Sequence, residues 1–164
     1  MVCVRRATRD DAAAIAAIHV EAYERGLGEV VDRAVLDAAR LQRRPLWDAL
    51  LADPPARQAV FVAEGEEIVG FVSTGPDRDP VSGPDVGEIY ALFVDPARWR
   101  VGVGRALLDT AIEYLRSIGV TEARLWVLDA NDRARRFYAA RGWSDLGIER
   151  VDDRGTFLRL GRAL

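Results

Sequence analysis

The segment Arg100-Val-Gly-Val-Gly-Arg-Ala106 holds the residue types in this chain best suited to chemistry. It follows an apolar run, Glu88-Ile-Tyr-Ala-Leu-Phe-Val94, through Asp95-Pro96, and it leads into a stretch with helical spacing. The first N–H groups of a helix have no acceptor within it, and the macrodipole adds partial positive charge there. Glycines let an anion come close to the backbone, and the neighbouring Arg98, Arg100 and Arg105 add countercharge. The segment is therefore expected to hold a phosphate or pyrophosphate. The competing reading is a turn whose glycines only permit tight packing of strand on helix. A Rossmann fingerprint needs a third glycine where Leu107 stands, and a P-loop needs Gly-Lys-Ser/Thr, so both common nucleotide motifs fit poorly.

A second basic spot is formed by Arg133, Arg135 and Arg136, although the net charge of the chain is −3. Two local positive spots on an acidic whole suit a compact polyanion, and no nucleic-acid partner is expected. Cys3 stands alone, so no disulfide framework exists, and a lone cysteine in a strand is most simply a small hydrophobe. One histidine, His19, and one cysteine leave too few ligands for zinc, so no metal is expected. Asp77, Asp79 and Asp85 lie in a loop, where they either draw a cationic amine or serve turns.

Local pattern names the elements that must position these groups. Residues 2–6 alternate as a short strand. Thr8 with Asp11 caps a helix that carries Ile15, Ile18 and Ala22 toward Tyr23, with Gly26 and Gly28 interrupting it. A second helix runs from about Asp32 to Ala52, with Pro45 restarting it. Residues 59–63 and 68–72 form a hairpin about Gly65-Glu66-Glu67, residues 75–87 form a loop, and 88–94 form a strand. A helix spans Gly102 to about Ser117, closed by Gly119, and Thr121–Leu128 is a strand. Asn131 caps a helix ending near Arg141 and Gly142, and runs near 146–148 and 156–160 close as a hairpin. Trp47, Trp126 and Trp143 are expected in the core, with Trp99 set apart beside the glycine loop. The whole reads as one mixed α/β domain over 1–164, with neither signal peptide nor apolar span, hence with no membrane partner and cytoplasmic.

Two stretches, in this order and at this separation, resemble the GNAT superfamily of acyl-CoA-dependent N-acyltransferases. One runs from Glu88-Ile-Tyr-Ala-Leu-Phe-Val-Asp-Pro into Arg100-Val-Gly-Val-Gly-Arg-Ala-Leu-Leu, and the other is Asn131-Asp-Arg-Ala-Arg-Arg-Phe-Tyr-Ala-Ala-Arg-Gly-Trp143. The resemblance covers residues 60–143 well. It departs at one place, for the Gln or Arg that opens the family's Gly-x-Gly/Ala signature is Trp99 here. It implies a central, mostly antiparallel sheet with a splayed parallel pair, flanked by helices. It also implies acetyl-CoA as acyl donor, an amine as acceptor, and allows a homodimer through the C-terminal strands. Leu92 would lie beside the thioester, and Phe93 and Val94 would pair their backbone with the pantetheine arm. Arg100, Val101, Gly102, Val103, Gly104, Arg105 and Ala106 would wrap the pyrophosphate, Asn131 would bond the pantetheine side, and Phe137 would pack on the cofactor.

An ammonium has no lone pair for attack on a thioester, so a transferase must see its acceptor deprotonated. Glu88 matches a position where some relatives carry a glutamate base, and is expected in that role, either directly or through water. The alternative is an exposed carboxylate at a strand end. Tyr138 would place its hydroxyl near the sulfur and supply the proton for the departing thiolate, the alternative being core packing. The first helix often lines the acceptor pocket in the family, which makes His19 and Tyr23 candidates for substrate contact, the alternative for His19 being a solvent-facing or capped histidine. Two other functions stay open: an inactive acyl-CoA-binding sensor that keeps the cleft, and a nucleotide-binding module built on the same helix start.

Overall fold

The structure is a computed structural model that describes residues 1–27 and 31–164. Its elements in chain order are β1 (Cys3–Arg6), α1 (Ala12–Leu27), α2 (Arg33–Ala52), β2 (Ala59–Glu64), β3 (Ile68–Pro76) and β4 (Val86–Val94). They continue with α3 (Val103–Ser117), β5 (Glu122–Leu128), α4 (Asp132–Ala139), β6 (Ser144–Asp152) and β7 (Gly155–Ala163). The seven strands make one sheet in the order β1-β2-β3-β4-β5-β7-β6. Every pairing is antiparallel except β4 with β5. This is the mixed sheet flanked by helices that the resemblance implies.

The two faces of the sheet are covered by different helices. Leu107, Leu108, Ala111 and Leu115 of α3 pack on Val72, Ile89, Val94 and Leu125 to form the larger core, which Tyr138 of α4 and Trp143 join. Ile15, Ala16 and Ile18 of α1 and Trp47 of α2 pack on Val60, Val62 and Phe71 of the other face. Helical spacing on α3 and alternation along β2 thus deliver their apolar sides to these layers, while on β3 a register slip beside Val69 places Ile68 with Phe71 on one face and Val69 with Val72 on the other.

Several local expectations meet a different outcome. The loop at 75–87 is shorter, because Gly75 and Pro76 still pair with Glu88 and Gly87 and extend both strands. Pro45 does not restart α2 but lies inside it. The carbonyl that a proline frees is four residues back, on Leu41, an exposed residue where water can satisfy it. Gly26 lies within α1 rather than interrupting it, and the break expected at Gly28 falls outside the described residues. Trp126 is half-buried and borders a cleft instead of filling the core.

Candidate active site

Strands β4 and β5 pair only over Val86–Ile89 with Glu122–Leu125, although β4 continues to Val94 and β5 to Leu128. Beyond Ile89 the register of β4 with β3 slips by one residue at Tyr90, a bulge that bends a strand and increases its twist. The two parallel strands therefore diverge, and the edge of β4 that faces β5 has no strand beside it from Tyr90 onward. A cleft of about 1040 Å³ occupies this gap.

The bulge also resets which way side chains point. Leu92 and Val94 pack with the α3 side, and Ala91 and Phe93 pack with the α1–α2 side. On β5, Leu125 and Val127 lie with the α3 side, whereas Trp126 joins the cluster of Tyr23 and Phe157 opposite. The cleft thus passes through the sheet and opens on both faces.

At its α3 end, Gly102 caps the helix with a φ of 92°, and Arg100 also lies in the left-handed region at 67°. A non-glycine residue there is uncommon and marks a backbone held by its surroundings. Ala106 already gives its N–H to the Gly102 carbonyl at 3.0 Å, whereas no described backbone bond takes up the N–H groups of Val103, Gly104 and Arg105. Arg100, Gly102, Gly104 and Arg105 line the cleft, while Val103 is buried in the core, Val101 is 68% exposed, and Ala106 lies outside the lining. Within the wrapping segment, then, the side chains of Val101, Val103 and Ala106 are not at the cleft, and the N–H of Ala106 is taken within its own helix.

Trp99, the residue that departs from the family signature, bridges this end. Its indole N–H donates to the Val94 carbonyl at 2.8 Å, and the Arg133 guanidinium lies 3.4 Å over its ring. Burial, with Arg100 nearby, pulls the Arg133 pKa down, a sign of positive charge gathered without a counterion. Asn131 caps α4 by accepting from the Ala134 N–H at 3.1 Å, so its carboxamide nitrogen stays available to the cleft. Phe137 and Tyr138 line the wall beside Leu92, Phe93 and Val94. Burial pushes the Tyr138 phenol pKa well above its usual value, and among the described residues its hydroxyl has no hydrogen-bond partner.

Glu88 is not at the cleft. It is 1% exposed and lies within an ionic cluster. Arg78 donates to it from its backbone N–H at 3.0 Å and from its guanidinium at 2.6 and 3.2 Å, and the Arg159 guanidinium stands 3.4 Å away. Arg159 is also bonded to Asp77, whose side chain is fully buried and further tied to Ser82 and Arg124. A carboxylate so enclosed, already accepting three hydrogen bonds from Arg78, has no open path to an amine, which corrects its expected role as base. Of the two readings of the loop aspartates, the structure favours their service in turns over attraction of an amine. Asp77 is part of this cluster, Asp79 accepts the Val81 N–H in a turn, and neither they nor Asp85 line the cleft.

His19 and Tyr23 do line the cleft, on its α1–α2 side. The His19 Nδ1 accepts the Trp47 indole N–H at 3.2 Å, and its ring lies 4.5 Å from that of Phe93. Burial, and then Arg43, hold its pKa down at about 3, so it is a neutral wall rather than a proton carrier near neutrality. Local sequence signals do not reveal Arg43, Arg78, Tyr90, Arg150, Arg154 and Phe157, which also border this side. An arginine on a helix or hairpin reads as solvated surface until its distant neighbours are known. Tyr90 was the one within reach, as a tyrosine in the strand leading to the glycine loop. Its hydroxyl donates to the Pro76 carbonyl at 2.5 Å. Among the described residues, no group of three or more His, Cys, Asp or Glu side chains is disposed to hold a metal. No helix among them is long and apolar enough to cross a membrane.

Comparison with known proteins adds four findings. The family model described as "Acetyltransferase (GNAT) family" matches residues 14–143. An uncharacterized N-acetyltransferase of Archaeoglobus fulgidus is 36% identical over 84% of this chain and 90% of its own. The uncharacterized N-acetyltransferase YuaI of Bacillus subtilis is 33% identical over 80% of this chain and 74% of its own. Among solved structures, the PaiA N-acetyltransferase of Thermoplasma acidophilum in complex with coenzyme A superposes with a TM-score of 0.82. That likeness extends over 100% of this chain and 99% of that one at 15% identity, and so speaks for the fold.

Proposed function

The chain belongs to the acetyltransferase (GNAT) family, and from that premise we propose that it transfers an acetyl group from acetyl-CoA directly to a primary amine. The observation that carries this reading is the gap between β4 and β5, which ends at the unpaired N–H groups of α3. The pantetheine arm takes the place of a neighbouring strand along Leu92–Val94, with Phe137 packed against it and the Asn131 carboxamide within its reach. The pyrophosphate sits on the N–H groups of Val103, Gly104 and Arg105, with Arg100, Arg105 and Arg133 as countercharge. A backbone N–H on the open edge of β4 meets the oxyanion that forms on attack, in a site where water competes little. The coenzyme A complex of the Thermoplasma relative supports this use of the fold.

Tyr138 then donates to the departing thiolate. A phenol whose pKa is raised by burial remains protonated at any working pH, as a donor must. Tyr138→Phe is expected to lower kcat about tenfold to a hundredfold, the low end of general-acid effects, with acetyl-CoA affinity held within about twofold. Stopped turnovers and calorimetry on the same sample check this, and wild-type kcat in the variant would reduce Tyr138 to packing.

The acceptor reaches the thioester from the α1–α2 side, where the described lining offers arginines, tyrosines and a neutral histidine but no carboxylate. A positive surrounding disfavours an ammonium. The amine therefore enters as free base, having lost its proton to water. For an amine with a pKa near ~10.4, kcat/KM is then expected to rise about tenfold per pH unit from neutrality toward that pKa. A bend between pH 4 and 7 that disappears in Glu88→Gln would restore a carboxylate base.

Calorimetric titration with acetyl-CoA, against coenzyme A, ATP and NAD, tests the reading as a whole. Micromolar binding confined to the coenzyme A compounds, followed by thiol release with an amine, is the expected result. Binding of ATP or NAD alone would overturn it, and tight acetyl-CoA binding without thiol release over a broad amine panel would mark an acyl-CoA sensor instead. We place this activity in the cytoplasm, in one unit spanning 1–164. A homodimer through the C-terminal strands suits the edge strand β6, on which Ile148 and Val151 are exposed.

A further inference from the structure

Four arginines converge on the α1–α2 mouth of the cleft, each laid over an aromatic ring. Arg43 stands 5.8 Å from the Tyr23 ring and Arg78 4.6 Å from that of Tyr90. Arg150 stands 4.8 Å from Trp126 and 5.0 Å from Phe157, and Arg154 4.7 Å from Phe157. They come from α2, the β3–β4 loop and the β6–β7 hairpin, so three distant parts of the chain deliver the same charge to one place. Two of the four are neutralised locally: Arg78 by Glu88, and Arg154 by Asp152. Arg43 and Arg150 have no carboxylate within ion-pair distance among the described residues.

Like charges held together over low-dielectric rings repel, and a fold keeps such a cluster at a cost in stability unless an anion relieves it. The direction of the proton equilibria agrees, since burial and then Arg154 pull Arg150 down, and burial pulls Arg43 down against the opposing effect of Tyr23, with Arg154 adding to it. A guanidinium held over a ring spends no N–H on an acceptor there, and its fork matches the two oxygens of a carboxylate or phosphate.

We propose that the acceptor amine bears an oxyanion, a carboxylate or a phosphate, and that Arg150, with Arg43, holds it at this mouth. The inference rests on the acyltransferase reading, which fixes the α1–α2 side as the acceptor's. The same charges that hold the anion repel an acceptor that is only cationic, so the site selects by attraction and by exclusion together. A diamine or a lysine-rich peptide is thereby disfavoured.

The test compares acceptors matched in all but the oxyanion, with thiol release from acetyl-CoA as readout: α-amino acids against their carboxamides, and phosphoethanolamine against ethanolamine. The anionic member is expected to have the larger kcat/KM by about tenfold or more, as one charge-assisted hydrogen bond supplies. The amino acid arm and the phosphate arm tell the two oxyanions apart. Arg150→Gln should bring the ratio toward one through KM of the anionic member, and Arg150→Lys should keep part of it. Equal or better use of the neutral members overturns the proposal. So does an Arg150→Gln that lowers both members alike, or silence of every anionic amine on protein that still binds acetyl-CoA. Failure to bind acetyl-CoA sinks the acyltransferase reading instead, which separates the two.

Discussion

Glu88→Ala is expected to lower folding stability by about 3–5 kcal/mol, the range for removing one partner from a buried ion pair. The carboxylate is nearly inaccessible and accepts three bonds from Arg78, while Arg159, itself almost fully buried, stands within 3.4 Å of it. Without it, Arg159 keeps Asp77 alone, and the loop that carries Arg78 loses its anchor on β4. In a chain of this size the loss corresponds to a fall of roughly 10 °C in Tm. Urea unfolding followed by tryptophan fluorescence measures it directly. Glu88→Gln keeps the shape and one acceptor oxygen, so it should cost less. Its kcat/KM should climb with pH in parallel with the wild type, because the residue moves no proton. The opposite pair of results, a stable Glu88→Gln protein with turnover gone and the pH dependence altered, would falsify the structural role and return Glu88 to the chemistry.

Gly104→Ala should leave the fold intact and weaken acetyl-CoA binding by up to about a thousandfold. A Cβ at position 104 would come no nearer than 3.6 Å to the Phe137 ring and 3.7 Å to Val94, ordinary contacts that ask nothing of the core. The added methyl stands on the cleft side of the first turn of α3, where the phosphates must approach the backbone. Losing two charge-assisted hydrogen bonds of about 2 kcal/mol each amounts to about 4 kcal/mol, or about three decades in affinity. Calorimetry with acetyl-CoA and thermal unfolding on the same preparation check both halves. Wild-type affinity in the variant would move the phosphates away from this helix start. A large drop in Tm would show instead that the glycine serves packing.

How much the sequence discloses depends on how far apart the cooperating residues lie. The turn from β4 into α3, the Asn131 cap and the helix stops at Gly119 and Gly142 are written in a few adjacent residues, and the structure has them where the pattern does. The order of the strands is not local. It came through the resemblance, since alternation alone names strands without ordering them. Glu88 misleads because its partners, Arg78 and Arg159, are 10 and 71 positions away, and nothing beside Glu88 distinguishes a buried ion from an exposed base. The acceptor mouth is hidden for the same reason, each of its arginines being commonplace in its own segment. Trp99 lies between these cases. Its position in the glycine motif marks it, but only the fold reveals that it ties the end of β4 to Arg133.

The short seam between β4 and β5 has a mechanical consequence. Only four residue pairs, Val86–Ile89 with Glu122–Leu125, stitch the strands β1–β4 to the β5–β7–β6 half of the sheet. Along its strands the sheet is thus two plates on a narrow hinge, with the larger core under α3 spanning both. Breathing of the plates opens the cleft and needs few bonds to break, so amides beyond Leu125 should exchange with solvent sooner than those of β2 and β3. A ligand lying in the gap bonds to one plate and packs on the other. It closes the hinge like a fifth row of stitches, and its affinity is read out as protection far from any atom it touches.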